Sequence, residues 1–405
     1  MSAETRNPFA SPRFKRWWLA SMAAGTGVGI QSVSVPLFIR DRVELDERAL
    51  AISAVLIAQT LPGALLSLFG GVLADRIPQR RILVRSYGLA AAVSCLYVLL
   101  CVADVRSIWP VFLLGAVVGS AGAFSNPARS SLLPLLVTRA QLQNGVILGT
   151  MGFMAALQFL GPSVAGLVVD LRGLTAAFSL EVVLLVAGAL AFAGVQAEAP
   201  LPSGRNVLGD LEDGLRYVAG EPTLRGLMLL AAVPGIFFIG PFAVTLPLLV
   251  PDVFGASDKW VGLLWGCFGG GVFLGSLLLT LRAFPRRGLA VLCSNFTGGV
   301  VMALYGLSTD LALSGALLVV WGLGASVFVN YVVTLLQEHA EPSKMGRVMS
   351  MYSLAFFIAM PLGYGQAGAL TSAFGPKAML IGNGVAAAAI GLAGLVGLRV
   401  VRRLA

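Results

Sequence analysis

Charge is scarce in this chain. Only 12% of its 405 residues are Asp, Glu, Lys or Arg, while 57% are hydrophobic. A soluble domain normally carries about a quarter charged residues, and the apolar excess here would leave aggregating patches on any water-facing surface. A soluble globular fold is thereby excluded. Histidine is scarcer still: His339 is alone, and there is no HExxH helix. The four cysteines, Cys95, Cys101, Cys267 and Cys293, form no CxxC pair and have no histidine at ligand spacing. They read as small buried hydrophobes, so no metal site is expected. With no cluster of intramembrane acids either, there is no catalytic constellation, and the chain is read as neither an enzyme nor a cofactor carrier.

What is abundant is apolar length. A hydrocarbon layer of about 30 Å takes roughly 20 helical residues to cross, and the sequence predicts twelve such runs, over 17–39, 49–74, 82–103, 108–126, 145–169, 174–195, 226–250, 260–281, 289–308, 312–335, 348–371 and 378–398. The expected class is therefore an all-α polytopic membrane protein with both termini on one side. Arg13 to Arg16 precede a first run too long for the apolar core of a cleavable signal, with no small-residue cleavage site before 40–48, so that span is read as a retained anchor.

The net charge of +9 is a topology signal rather than a nucleic-acid footprint. On this topology seven of the 28 lysines and arginines (Arg40, Arg42, Arg48, Arg106, Arg172, Lys259 and Lys377) fall on the side away from the termini, and the other 21 on the side of the termini. That asymmetry places both termini in the cytoplasm by the positive-inside rule. The expected location is the cytoplasmic (inner) membrane.

The polar stretch 196–225 divides the spans six and six, giving an N-terminal half over 1–195, a cytoplasmic linker and a C-terminal half over 226–405. Within the linker, Val207, Leu208, Leu211, Leu215 and Val218 recur at helical spacing with acids opposite, which predicts a short amphipathic surface helix; a solvated loop is the other reading. The halves echo each other. Arg76, Arg80 and Arg81 follow the second span as Arg282, Arg286 and Arg287 follow the eighth, with a proline in each loop. Two six-helix halves in one orientation make a parallel repeat, an architecture of secondary transporters whose substrate site lies near the midplane.

The stretch 70–81, GGVLADRIPQRR, resembles the loop between helices 2 and 3 of the major facilitator superfamily, roughly G-x-x-x-D-R-x-G-R-R. Gly71, Asp75, Arg76 and Arg80 match it; Pro78 stands where glycine is usual and Gln79 where arginine is, with Arg81 one place later. The resemblance implies a cytoplasmic latch in which Asp75 meets the start of helix 11, near Gly346 and Arg347, with Arg129 at the foot of span four as an ion partner. A carboxylate facing a helix N-terminus is worth roughly 0.3–2 kcal/mol. FLGPSVAG in span five resembles the Gly-Pro signature of superfamily exporters, in which Gly161 and Pro162 kink the helix and Gly166 offers a small packing face. The segments NPARSSLLPLLV and TLLQEHAEPSKMGRVMSMY resemble the branch containing the enterobactin exporter and macrolide efflux transporters.

The resemblance implies a secondary active transporter that exports drugs or secondary metabolites by alternating access and proton-coupled antiport. A dedicated siderophore exporter and an uncoupled facilitator are the alternatives, and from another class a receptor that kept the fold. Intramembrane ionisable residues are functional suspects, and Glu181 is the one carboxylate well inside a span, read either as the proton-coupling group or as a structural acid. Candidates for the cavity lining are Gln31, Gln59, Gln158, Trp265, Trp321, Asn330, Tyr331 and Tyr352, each of which could equally be an interhelical bond or core aromatic. A mostly apolar, aromatic lining with a few amides suits a bulky amphipathic cargo better than a sugar or a small ion, so the expected partner is an amphipathic small molecule. Protons and membrane lipid are the other expected partners, nucleic acid is not one, and the chain is read as a monomer.

Overall fold

The computed structural model describes residues 7–195, 207–282, 284–341 and 344–404, without the side chains of 67–76 and 207–212. Every regular element among these residues is helical, as a lipid-immersed chain requires when its backbone must satisfy its own hydrogen bonds. The helices are α1 (Pro12–Arg40), α2 (Arg48–Arg76), α3 (Gln79–Val102), α4 (Trp109–Leu132), α5 (Arg139–Ala155), α6 (Gly161–Ala193), α7 (Val207–Gly220), α8 (Pro222–Val233), α9 (Gly240–Phe254), α10 (Lys259–Leu281), α11 (Arg287–Leu307), α12 (Leu311–His339), α13 (Met345–Gly397) and α14 (Arg399–Arg402). Local chemistry sets their starts. Ser11 accepts from the Phe14 amide ahead of Pro12, Thr138 and Gln141 form a capping box before α5, and Asp310 caps α12 by accepting from the Leu313 amide at 2.7 Å.

Among the described residues, ten helical runs are long and apolar enough to cross a membrane, so the chain is a multi-pass membrane protein. Two of the runs, 139–193 and 345–397, are 55 and 53 residues long, well beyond the roughly 20 that one crossing needs. Each is broken once. Gly173 (φ 79°) and Gly375 (φ 82°) reverse the chain in a conformation that glycine alone adopts without strain. Two wider π-type turns, Ala156–Leu160 and Pro234–Ile239, each run directly into a Gly-Pro pair, Gly161-Pro162 and Gly240-Pro241, where the missing proline N–H loosens the hydrogen-bond ladder.

The chain forms two compact units. The first comprises 1–42, 61–205 and 258–266, and the second 43–60, 206–257 and 267–405. The first is centred on Phe14, Trp17, Leu83, Tyr87, Leu185 and Phe192 from α1, α3 and α6, with Tyr87 and Phe192 stacked at 5.6 Å. The second is centred on Leu227, Val291, Val332, Leu335 and Val348 from α8, α11, α12 and α13; α7 docks on it through Val218.

Glycines let backbones touch in both units, at one constant offset in the numbering. In the first unit Gly161 of α6 abuts Gly29 of α1, and Gly166 abuts Gly262 of α10. In the second, Gly363 of α13 abuts Gly235, and Gly368 abuts Ser53 of α2. A side chain at any of these four helical glycines would collide with backbone or with the Ser53 side chain.

Candidate functional site

The loop after α2 begins a charged region. Gly71, Asp75 and Arg76 lie in the last turns of α2, and their side chains are outside the described residues. Pro78 caps α3, where Arg80 and Arg81 point to solvent; Arg80 Nη1 donates to the Ala193 carbonyl at 3.4 Å. Arg129, at the foot of α4, is buried, with its guanidinium 3.7 Å above the Phe153 ring and no hydrogen-bond partner for Nε. Gly346 and Arg347 open α13, and Arg347 pairs with Asp213 of α7 at 3.4 Å. Sequence reasoning missed Asp213. The acidic face read on the amphipathic segment was the available signal, but nothing in the sequence says which basic residue a surface helix will meet. Lys344, over the Tyr217 ring at 4.1 Å, and the Glu341 amide, donating to Tyr217 Oη at 3.2 Å, complete the docking of α7.

The Gly-Pro pair at 161–162 is buried where α6 crosses α1 at Gly29, and one turn on, Gly166 lies against the first turns of α10. The same end of the first unit carries a clasp that the sequence showed only in part. Arg40 makes a two-pronged contact with Asp258, Nη1 to Oδ1 at 2.6 Å and Nη2 to Oδ2 at 3.0 Å, while Asp41 takes Nη2 at 2.7 Å. The Arg40–Asp41 pair is adjacent in the chain and could be read directly. Asp258, immediately before α10, is remote in sequence and becomes visible only in the fold.

Glu181 on α6 is 1% exposed. Its Oε1 accepts from Ser94 Oγ of α3 at 2.7 Å, whereas Oε2 has no partner. The matching position in the second unit, at the offset of the paired glycines, is Asn383: its Oδ1 accepts from Gln366 Nε2 at 3.2 Å, and its amide donates to the Met379 carbonyl at 3.5 Å. Gln366 also donates to the Ile236 carbonyl at 2.5 Å, within the π-type turn.

The cavity-lining candidates are distributed across both units. Trp321 is packed in an aromatic nest of the second unit with Phe238, Phe242 and Phe268, at ring separations of 5.2 to 5.6 Å. Tyr331 is buried and accepts from the Phe284 amide at 2.7 Å, and the exposed Asn330 donates to Ser276 Oγ at 3.2 Å. Tyr352 stacks on Phe356 at 6.4 Å. Gln31 is buried in α1, while Gln59, Gln158 and Trp265 are half-buried on α2, the first π-type turn and α10.

Known proteins resemble this chain over most of its length. The transmembrane secretion effector family model matches residues 3–403. The multidrug efflux pump Tap of Mycobacterium tuberculosis is 28% identical, covering 93% of this chain and 91% of its own. Macrolide efflux protein A of Streptococcus pyogenes is 25% identical over 78% of this chain and 79% of its own. The enterobactin exporter EntS of Escherichia coli is 24% identical over 94% and 90%. Among solved structures, the human organic anion transporter MFSD10 (TETRAN) has the same fold, with a TM-score of 0.68 at 16% identity over 94% of this chain and 98% of that one. A helical, multi-pass chain matched from end to end in this way belongs to the transmembrane secretion effector family of the major facilitator superfamily.

Proposed function

We propose that this protein is a secondary active exporter of small amphipathic compounds, drugs or secondary metabolites, working by alternating access and proton antiport across the cytoplasmic membrane. The observation that carries the reading is the end-to-end family match, with efflux pumps and an exporter as its relatives. The working unit is a monomer of twelve spans in two parallel six-helix halves, 1–195 and 226–405, joined by the linker and with both termini cytoplasmic. Three features support that division: the glycine breaks at 173 and 375, the repeated glycine contacts at one offset, and the basic asymmetry of the loops.

In the proposed cycle, Asp75 and the start of α13 form the cytoplasmic latch, and Arg40 with Asp258 forms its external counterpart. Opening toward the outside separates α10 from the Gly166 face and breaks a largely buried two-pronged ion pair, which holds that side shut until substrate and proton alter the balance. The multidrug reading is tested in cells loaded with ethidium: extrusion stops when an uncoupler is added. EntS favours a second reading, a dedicated siderophore exporter. Export of a catecholate siderophore without ethidium extrusion would select it. Extrusion indifferent to the uncoupler would instead indicate a facilitator.

A further inference from the structure

We infer that Glu181 and Ser94 together form the proton-carrying site of the transporter, an inference that rests on the antiport reading above. The site lies within the first unit, where α1, α3 and α6 meet. Gly27 of α1 faces Leu185 and the Glu181 backbone, and Ser94 of α3 reaches the Glu181 carboxyl.

The hydrogen-bond geometry makes the pair a two-position switch. Ser94 Oγ is 2.7 Å from Glu181 Oε1 and 3.0 Å from the Ala90 carbonyl oxygen. A serine hydroxyl has one hydrogen to donate. When the carboxylate is ionised, that hydrogen goes to Oε1, and Oε2 is left charged, sealed from solvent and without a partner. When Oε1 takes up a proton, the carboxyl donates to Ser94 and Ser94 donates on to Ala90, so both hydrogens have acceptors and Oε2 is a neutral carbonyl oxygen. Uptake or release of one proton therefore turns the Ser94 hydroxyl from one acceptor to the other.

The helix stretches that meet at the site carry no other charge. Residues 20–39 of α1, 86–102 of α3 and 174–193 of α6 contain no charged side chain except Glu181 itself. Tyr97 belongs to a roof. Its ring stacks on Phe178 at 4.9 Å, Phe38 meets both rings at 6.1 and 6.2 Å, and the Arg42 guanidinium lies 3.7 Å above Phe38. The roof shields the carboxyl from the end of the unit that carries Arg42 and the 103–108 loop. Such shielding is what an antiporter needs, since a proton site open at all times leaks. Asn383 supplies the internal contrast: at the matching place in the second unit a neutral amide is bonded at both ends, so packing at this position does not itself call for a carboxylic acid.

The test uses purified full-length protein in phosphatidylethanolamine–phosphatidylglycerol liposomes, with ethidium as the transported probe and a trapped pH-sensitive dye. Glu181→Gln is expected to lower the protons moved per ethidium by at least about tenfold, and Ser94→Ala by less. A wild-type ratio in Glu181→Gln overturns the inference and leaves the exporter reading intact. If the wild type moves no ethidium, the multidrug reading fails separately, and infrared difference spectra between acid and alkaline pH decide the site. A protonated-carboxyl stretch absent in Glu181→Gln and shifted in Ser94→Ala supports it; the same band in all three proteins overturns it.

Discussion

The two units use the same devices with different chemistry. Gly161 and Gly363, Gly166 and Gly368, and Gly173 and Gly375 do equivalent work at equivalent places, the first two pairs as points of close helix approach and the third as chain reversals. The basic loop is shared, Arg76, Arg80 and Arg81 with Arg282, Arg286 and Arg287, but Asp75 and Glu181 are not. Aligning Arg76 with Arg282 sets Leu281 opposite Asp75, and the glycine offset sets Asn383 opposite Glu181. Geometry thus persists in both halves because packing requires it, while Asp75 and Glu181 have neutral counterparts. Under the proposed function, the first unit supplies the latch carboxylate and the proton group.

The largest effect that could break this contrast is at Asp75. Asp75→Asn should reduce ethidium extrusion by about tenfold or more with expression unchanged, because the loss of up to ~2 kcal/mol of charge–dipole attraction shifts the latch equilibrium without altering volume; Leu281→Asn, its counterpart, should leave extrusion near wild type. Equal losses in both variants would remove the asymmetry. Next come the shared glycines. Gly161→Leu and Gly363→Leu should each destabilise the protein by about 1–3 kcal/mol or more through overpacking, read as a lower melting temperature in detergent. A collapse of one with no change in the other would show that the repeated contacts are not equivalent.

A smaller effect is expected at the clasp. Asp258→Asn removes one carboxylate from Arg40 but leaves Asp41 to balance the buried guanidinium, so a loosening of a few-fold in the outward closure is expected. Impermeant thiol labelling of a cysteine placed at Ser163, beneath Gly266 of α10, should speed up accordingly. The smallest change is at Arg80→Ala. Its guanidinium makes one long, exposed bond and Arg81 remains beside it, so extrusion should fall by less than about twofold.

Much of the fold was legible because the membrane makes hydropathy a one-dimensional rule. An apolar run long enough to cross must be helical, and each helix can be found without knowing its neighbours. The breaks at Gly173 and Gly375 fall between the predicted spans for the same reason. Of the site, Arg40 and Asp41 were readable as neighbours, and Glu181 stood out as a lone acid in an apolar run. Its orphan oxygen did not, nor did its bond to Ser94, because both depend on how α3 meets α6.

The sequence alone therefore determined an all-helical, membrane-crossing chain and the stock of polar groups inside it, since composition and run length act locally. Tertiary structure decided which groups meet. Asp258 reaches Arg40, Asp213 reaches Arg347, Ser94 reaches Glu181, and Gly29 reaches Gly161. Each pair is distant in the chain, and each contact is set by helix packing through small residues and bulky rings, a balance of close contact and desolvation that no local pattern encodes.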